Sequence, residues 1–450
     1  MRTVRSFAVL VVCFFALNLF AEHRVRKHVC DLSNEEWTAL DHAFQKLEGL
    51  SDTDPNNYIR WAQIHGFGAP TSTGPCKHNS EQVWTWHRAY LYWFENALRA
   101  SDPPVTANVT LPYWDWTQPP TGKRYPIQFE TMRGLLPQGT DCPTVAACRE
   151  TTPNPGPPFD PAIIASIQAI PDWSLYGGLA SSPGALENQP HNTIHGSYIG
   201  GLNSSNRDAA RDPLFWGHHS NLDRLWSLFQ TSARTSVPPR EPGPVNKNFK
   251  INFRKGMPNE LSGDYADIAS ALLDYSYQPQ RNQCPGTGFE TAMKKEARPA
   301  LLKIAMPKAE HVVEVPFNLA PPAAGERIVL RFSGITPPTD ASYVVRVYLR
   351  PRGSAPATRT ESEQLTFFTV WRSAHEHGED GEEQTLDVAL DVTDRTRELA
   401  AGAKDTKRVL QVDIQRVDDA RNFKGIEFGQ GFTWRKLSID KITVLTQTVR

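Results

Sequence analysis

The 450-residue sequence has no excess charge of either sign: 48 Lys and Arg stand against 49 Asp and Glu, a net charge of −1. So even a balance gives no general reason to expect a nucleic acid or an anionic membrane as partner. Six cysteines are too few for a disulfide scaffold. Beyond Ala21 no apolar run approaches the roughly 18 residues of a membrane helix, and no internal repeat is visible. Charged residues at 22% and hydrophobic residues at 39% exclude a wholly disordered chain. What remains is apolar surface enough for a sizeable core, 36 prolines and 29 glycines that point to long loops, and 13 histidines, enough for one elaborate site. The length allows about two to four domains.

Residues 1–21 (MRTVRSFAVLVVCFFALNLFA) have the layout of a secretory signal: Arg2 and Arg5, an apolar run from Phe7 to Phe20, then the small Ala21. The alternative, an uncleaved anchor, would need a longer run. The expectation is a protein that is secreted or periplasmic and free of the membrane once the signal is cleaved. Cleavage removes Cys13 and leaves Cys30, Cys76, Cys142, Cys148 and Cys284. In an oxidising compartment, an odd count sets one cysteine aside for separate chemistry.

Two textures follow. Residues 22–285 mix helical periodicity with Pro-rich loops. Ser33-Asn34-Glu35-Glu36 opens a helix through Trp37, Leu40, Phe44 and Leu47, and Arg88–Arg99 and Asn221–Phe229 repeat the theme. From about residue 310, seven β-branched runs (HVVEVPF, RIVLRF, YVVRVYLR, LTFFTVW, LDVALDV, RVLQVDIQ and LSIDKITVL) are spaced by turn residues. They predict an all-β antiparallel sandwich or barrel over 310–450. The boundary falls in 278–310, with 286–309 as the linker.

The histidines carry the chemistry. His191 and His195 are four apart in HNTIH, so on a helix both rings share one face. His218 and His219 are adjacent and diverge by roughly 100°, so only one can join a site there. Asp223, four residues after His219, is placed to hold that ring or a nearby Arg. His78 and His87 are nine apart; to share one metal, His78 must come from a loop and His87 must start the next helix. His65 precedes Gly66, which suits a helix end. Two sets of three neutral imidazoles, without a carboxylate, suit copper, zinc or iron. Scattered core or surface histidines are the alternative. The paired spacing, the second triple and the aromatic surroundings all argue against it.

These stretches resemble the tyrosinase / polyphenol oxidase (catechol oxidase) family of type-3 dicopper proteins. His78-Asn79-Ser80 with Trp86-His87-Arg88-Ala89-Tyr90-Leu91 is similar to the family's first copper motif. Glu187–His195 and Asp212–Trp226 (DPLFWGHHSNLDRLW) are similar to its second. Leu111–Trp116 resembles a core segment, Tyr275-Ser276-Tyr277 the closing tyrosine motif, and Val25-Arg26-Lys27 the opening, where an Arg meets that motif. Val83-Trp84 stands where a Phe is usual, which preserves apolar bulk.

The resemblance implies a mainly α catalytic core, a four-helix bundle around a dicopper site, holding two copper ions. His65, His78 and His87 would bind one, and His191, His195 and His219 the other, with His218 beside them. Cys76 would form a thioether to His78, which accounts for the odd cysteine; a buried thiol is the alternative. The other four cysteines allow three pairings. Cys142 and Cys148 are close in sequence, and Cys30 and Cys284 flank the core.

The implied activity uses O2 to oxidise o-diphenols to o-quinones, to ortho-hydroxylate monophenols, or both. The implied partners are a small phenolic substrate and O2, with no nucleic acid. Glu187 and Asn192 would orient a water that takes the phenol proton, against an ordinary capping role. Phe215 would meet the substrate ring, against a place in the core before the helix. Gly196 would keep the pocket mouth open.

Residues 310–450 resemble the C-terminal domain of plant polyphenol oxidases, which implies a shield that keeps the enzyme latent until a protease acts near Arg281, Lys294, Lys295 or Arg298. Phe367 or Phe368 would be the plug; the sequence does not choose. His375 and His377 read as an exposed pair or a transient copper site. A haemocyanin-like oxygen carrier and a zinc hydrolase are the competing functions. Asn108-Val109-Thr110 and Asn203-Ser204-Ser205 are glycosylation sequons.

Overall fold

The structure is a computed structural model. It describes residues 23–66, 76–118, 120, 124–136, 142–149, 161–179, 182–206, 208–231, 250–251, 260–270, 272–281, 311–318, 322–323, 326–336, 342–351, 363–370, 385–401, 407–417 and 441–448. The signal segment 1–21, Cys284, the linker 286–309 with Lys294, Lys295 and Arg298, and the pair His375 and His377 lie outside the described residues.

The described chain enters as β1 (Arg24–Arg26) and then forms α1 (Asn34–Glu48). The Ser33 hydroxyl accepts from Glu36 N and the Glu36 carboxylate accepts from Ser33 N, a capping box. Leu40, Ala43, Phe44 and Leu47 form its buried stripe. α2 (Tyr58–Gly66) ends on His65 and Gly66, where the sequence placed a helix end. α3 (Gln82–Ala100) begins ahead of His87 rather than on it. The Ser80 hydroxyl accepts from Gln82 N, and Val83 and Trp84 are buried, so this first turn has an anchored N–H and its own core, although its N-cap Glu81 makes no side-chain cap. His78 stays in the preceding loop.

The loop-rich stretch holds five short helices: α4 (Pro103–Thr106), α5 (Ile127–Thr131), α6 (Val145–Cys148), α7 (Pro161–Gln168) and α8 (Trp173–Tyr176). A small hairpin of β2 (Gly178–Leu179) and β3 (Ser182–Pro183) follows. Residues Glu187–His191 and Ile194–Ile199 are π-helical turns, with Pro190 inside the first. Widened turns of this kind are frequent at functional sites. α9 (Pro213–Thr231) starts well before Asn221, because Pro213 suits a first helical position and the Asp212 carboxylate accepts from Leu214 N at 2.9 Å. Phe215 therefore lies in a helix, not in the segment before one. α3 and α9 pack together and are buried almost all round. After the pair β4 (Lys250–Ile251) and β5 (Glu260–Leu261), β6 (Tyr275–Tyr277) runs parallel to β1.

The C-terminal unit has the seven expected strands: β7 (His311–Asn318), β8 (Glu326–Ile335), β9 (Ser342–Pro351), β10 (Gln364–Val370), β11 (Leu386–Asp391), β12 (Lys407–Val417) and β13 (Lys441–Thr448). They make two antiparallel sheets, in the orders β10-β9-β12-β7 and β11-β8-β13. Both sheets feed one apolar cluster that includes Leu330, Phe332, Val345, Val347, Phe368, Val388 and Val412. No sheet closes on itself among the described residues. The unit is not all-β: α10 (Thr393–Ala401) follows β11, in a TDRTRELAA stretch rich in helix formers, and Asp391 accepts from Thr393 N where it begins.

The two units meet along β10, whose seven residues are all buried. Successive side chains point to opposite faces, so Phe368 joins the β cluster while Phe367 joins the cluster of the helical core. Gln189 Nε2 donates to Thr366 Oγ1 (3.1 Å) and Phe367 O (3.0 Å), and Asn192 Nδ2 donates to Thr369 O (2.8 Å). Beside this seam, between α7 and α10, lies a cavity of about 790 Å³. Among the described residues, no helix is long and apolar enough to cross a membrane.

Candidate metal centre

Five segments aim histidines at one region. α2 supplies His65, the loop before α3 supplies His78, and α3 supplies His87; the π-helical segment supplies His191 and His195, and α9 supplies His218 and His219. The result is two clusters: His65, Cys76, His78 and His87, and His191, His195, His218 and His219. Within each, candidate ligand atoms lie within 4.8 Å of one another. The clusters touch: His87 stacks on His219 with centroids 4.3 Å apart, and His78 lies 5.3 Å from His191.

The hydrogen bonds fix the tautomers. His65 Nδ1 meets Asn206 O (2.9 Å), His87 Nδ1 meets Val83 O (2.8 Å), His191 Nδ1 meets Asn192 Oδ1 (2.7 Å) and His195 Nδ1 meets Asn203 Oδ1 (3.2 Å). Every partner is an oxygen, so each Nδ1 donates and Nε2 keeps the lone pair. In the first cluster two of these lone pairs face each other, with 3.4 Å between His65 Nε2 and His87 Nε2; in the second the His195 lone pair lies 2.9 Å from His219 Nε2. Two lone pairs at that range repel unless a cation lies between them. With metal–imidazole bonds of about 2.0–2.1 Å, these separations are ones that a shared ion permits. Burial pushes His65 down to about 3 and His191 to about 4, and it holds His78, His87, His195 and His219 well below the ordinary range. All six are neutral near pH 7, as metal ligands must be. The donor set fits copper.

His218 is near enough by distance alone, but its chemistry differs. The Trp116 indole N–H donates to His218 Nδ1 at 3.0 Å, which puts the proton of the neutral ring on Nε2 and uses the lone pair at Nδ1. Asp223 holds arginines rather than the His219 ring. It accepts from Arg88 Nε (2.5 Å), Arg26 Nη1 (3.4 Å), and the hydroxyls of Tyr275 (2.5 Å) and Tyr277 (2.6 Å). Arg26 lies over the Tyr275 ring at 4.0 Å, so the opening Arg and the tyrosine motif do meet.

The other expected residues are also at the centre. Cys76 is buried, with Sγ 3.2 Å from His78 Nδ1 and donating to Asn206 Oδ1 at 3.0 Å. Glu187 is buried and accepts from Asn79 N at 2.7 Å, which pins the left-handed residue after His78 (φ 55°). Phe215 is buried with its ring 4.6 Å from His65, 4.2 Å from His219 and 5.7 Å from His195. Gly196 is buried in its π-helical turn. Cys142 and Cys148 form a disulfide. Cys30 is also disulfide-bonded.

Sequence reading missed three supports: Trp116, Asn203 and Asn206. Asn203 also heads a sequon that would count only in a eukaryotic host. It is 0% exposed, and its amide is committed to His195 and Asp212, so the folded chain cannot present it. Only tertiary placement reveals these roles, since nothing in the local spacing points to them. Asn108 is exposed.

The family described as the common central domain of tyrosinase matches residues 55–160 and 174–232. These residues form a central domain of the tyrosinase family. Tyrosinase HcTyr1 of Hahella sp. (strain CCB-MM4) is 24% identical over 361 residues, 69% of this chain and 75% of that one. The hemocyanin G-type of Enteroctopus dofleini is 30% identical over 240 residues, 46% of this chain but 8% of that one. The structure of latent apple tyrosinase superposes with a TM-score of 0.61 at 17% identity, covering 95% of this chain and 98% of that chain. That likeness carries the fold across both units. A second family, described as a domain of unknown function (DUF7868), matches residues 288–431 of this chain.

Proposed function

We propose that the protein is a secreted, copper-dependent phenol oxidase that oxidises o-diphenols to o-quinones with O2, also hydroxylates monophenols, and is held latent by its C-terminal unit. The observation that carries this reading is the pair of touching, buried histidine clusters, whose Nε2 atoms approach to 3.4 Å in the first and 2.9 Å in the second. His65, His78 and His87 would hold one copper, and His191, His195 and His219 the other. Bound copper would supply two adjacent one-electron couples for reducing O2.

The chain's own residues do the rest. Buried aromatic walls exclude water, and the anchored Nδ1 atoms hold the rings in place. Phe215 meets the substrate ring; its contacts with three of the imidazoles support that place. Glu187 and Asn192 orient the water that takes the phenol proton. Cys76 Sγ joins a ring carbon of His78; the S–H and C–H bonds break, two electrons and two protons leave, and O2 is the oxidant. The distance of 3.2 Å to Nδ1 supports that step.

Latency is read from β10. The amide of Asn192 is given to Thr369 O, and Gln189 is held by Thr366 and Phe367, so the shield engages the segment that carries His191 and His195. Phe367, rather than Phe368, is the plug, since it faces the helical core. We place the catalytic domain at 22–285, the cleavable linker at 286–309 and the shield at 310–450, a sandwich of two open sheets.

Quinone formation from L-DOPA and tyrosine, measured before and after limited proteolysis, tests the reading. The expected result is low activity that rises on cleavage; absence of quinone in both states would overturn it. The hemocyanin match favours a second reading, an oxygen carrier, which would bind O2 reversibly and make no quinone. Metal analysis separates both from a zinc hydrolase.

A further inference from the structure

We propose that Arg149, Asp212 and Asn203 form a buried positioning relay for His195, so that the second metal position, but not the first, depends on the loop closed by Cys142–Cys148. The proposal rests on the two-copper reading above.

The chain of contacts is continuous. His195 Nδ1 donates to Asn203 Oδ1 (3.2 Å), and Asn203 Nδ2 donates to Asp212 Oδ2 (2.8 Å). Arg149 closes the relay as a fork, Nε to Asp212 Oδ2 (2.9 Å) and Nη2 to Asp212 Oδ1 (2.7 Å). All four residues are buried. The order of donors and acceptors admits one arrangement. A flipped Asn203 amide would turn its oxygen to the Asp212 carboxylate, placing two acceptors against each other. Asp212 therefore sets the amide, the amide sets the His195 tautomer, and Nε2 is left to face His219. Without Arg149, Asp212 would be a buried carboxylate lacking its charge partner.

Asp212 also caps α9, which carries His219, so both of these second-cluster ligands lean on one carboxylate. Arg149 directly follows Cys148, the end of the disulfide loop. That loop presses on the turn holding Asn203: a Cβ at Gly201 (φ +56°) would come within 2.2 Å of Cys148 O. The first cluster has different Nδ1 anchors: His65 and His87 donate to the main-chain carbonyls of Asn206 and Val83.

The test is copper loading of the full chain, read by elemental analysis and by electron paramagnetic resonance. A coupled copper pair is silent, whereas a single Cu(II) gives a signal. Wild type should hold two coppers per chain and be nearly silent. Asn203→Leu should keep one copper and show about one Cu(II) per chain. Arg149→Lys and the Cys142→Ser/Cys148→Ser variant should weaken the second copper by about 10–100-fold and leave the first unchanged. Circular dichroism of each variant checks folding; if Asn203→Leu does not fold, the other two decide. A folded variant set that keeps two coppers, or loses both in parallel, would overturn the relay. Wild type without two coppers would instead overturn the two-copper reading.

Discussion

The two histidine clusters look alike as sequence, yet they are held by different means. In the first, His65 and His87 hang from backbone carbonyls of Asn206 and Val83. In the second, His191 and His195 hang from the side-chain amides of Asn192 and Asn203. A carbonyl comes with the fold and no single substitution removes it, whereas an amide is one codon from loss. The first position is thus built into the scaffold and the second is built from replaceable parts. The second is also the one that β10 grips.

Four measurements break or sharpen this contrast. The largest effect is expected from Asp212→Ala, which strands Arg149 as a buried unpaired charge. Thermal or denaturant melts should show a loss of about 3–5 kcal/mol; a near-neutral result would remove Asp212 from the support of the second cluster.

Acid comes next, and it should reach both clusters. The His65 and His191 pKa values fall on folding, to about 3 and about 4. The unfolded chain, at about 6.5, then binds protons that the folded chain refuses. Their contribution is complete above about pH 6.5 and is lost as the pH falls towards those folded values. Melting of the metal-free protein should therefore drop steadily from pH 7 to pH 4, and a flat profile would contradict buried neutral histidines.

Trp116→Phe should cost about 0.5–1.5 kcal/mol and release the His218 tautomer. Copper spectra should change at the second position and not at the first. The smallest effect is a glycan count. In a eukaryotic host, glycopeptide mass spectrometry should find sugar at Asn108 and none at Asn203.

Much of the site was legible because metal binding needs particular residues at helical spacing. HNTIH, DPLFWGHHSNLDRLW and the His78–His87 pair name the clustered histidines before any fold is known, and the α1 capping box reads directly from Ser33 and Glu36. What the sequence hid depends on contacts far along the chain. α3 starts at Gln82 because Val83 and Trp84 find a core there. α10 appears where a β-rich texture suggested only strands. Trp116 meets His218 across 102 residues, and the Asn203 sequon is spent inside the protein. The choice between Phe367 and Phe368 also waited on the fold, since pleating separates them only once β10 has a core on each side.

Among the described residues β10 is an edge strand of its sheet, and the helical core covers that edge by donating hydrogen bonds to Phe367 O and Thr369 O and by enclosing the Phe367 ring. A C-terminal unit parted from the core would present bare carbonyls beside an apolar face, the surface through which sheets pair between molecules. Such a fragment would associate with its own kind sooner than return to its socket. Cleavage would then act as a ratchet, with the freed shield lost to aggregation.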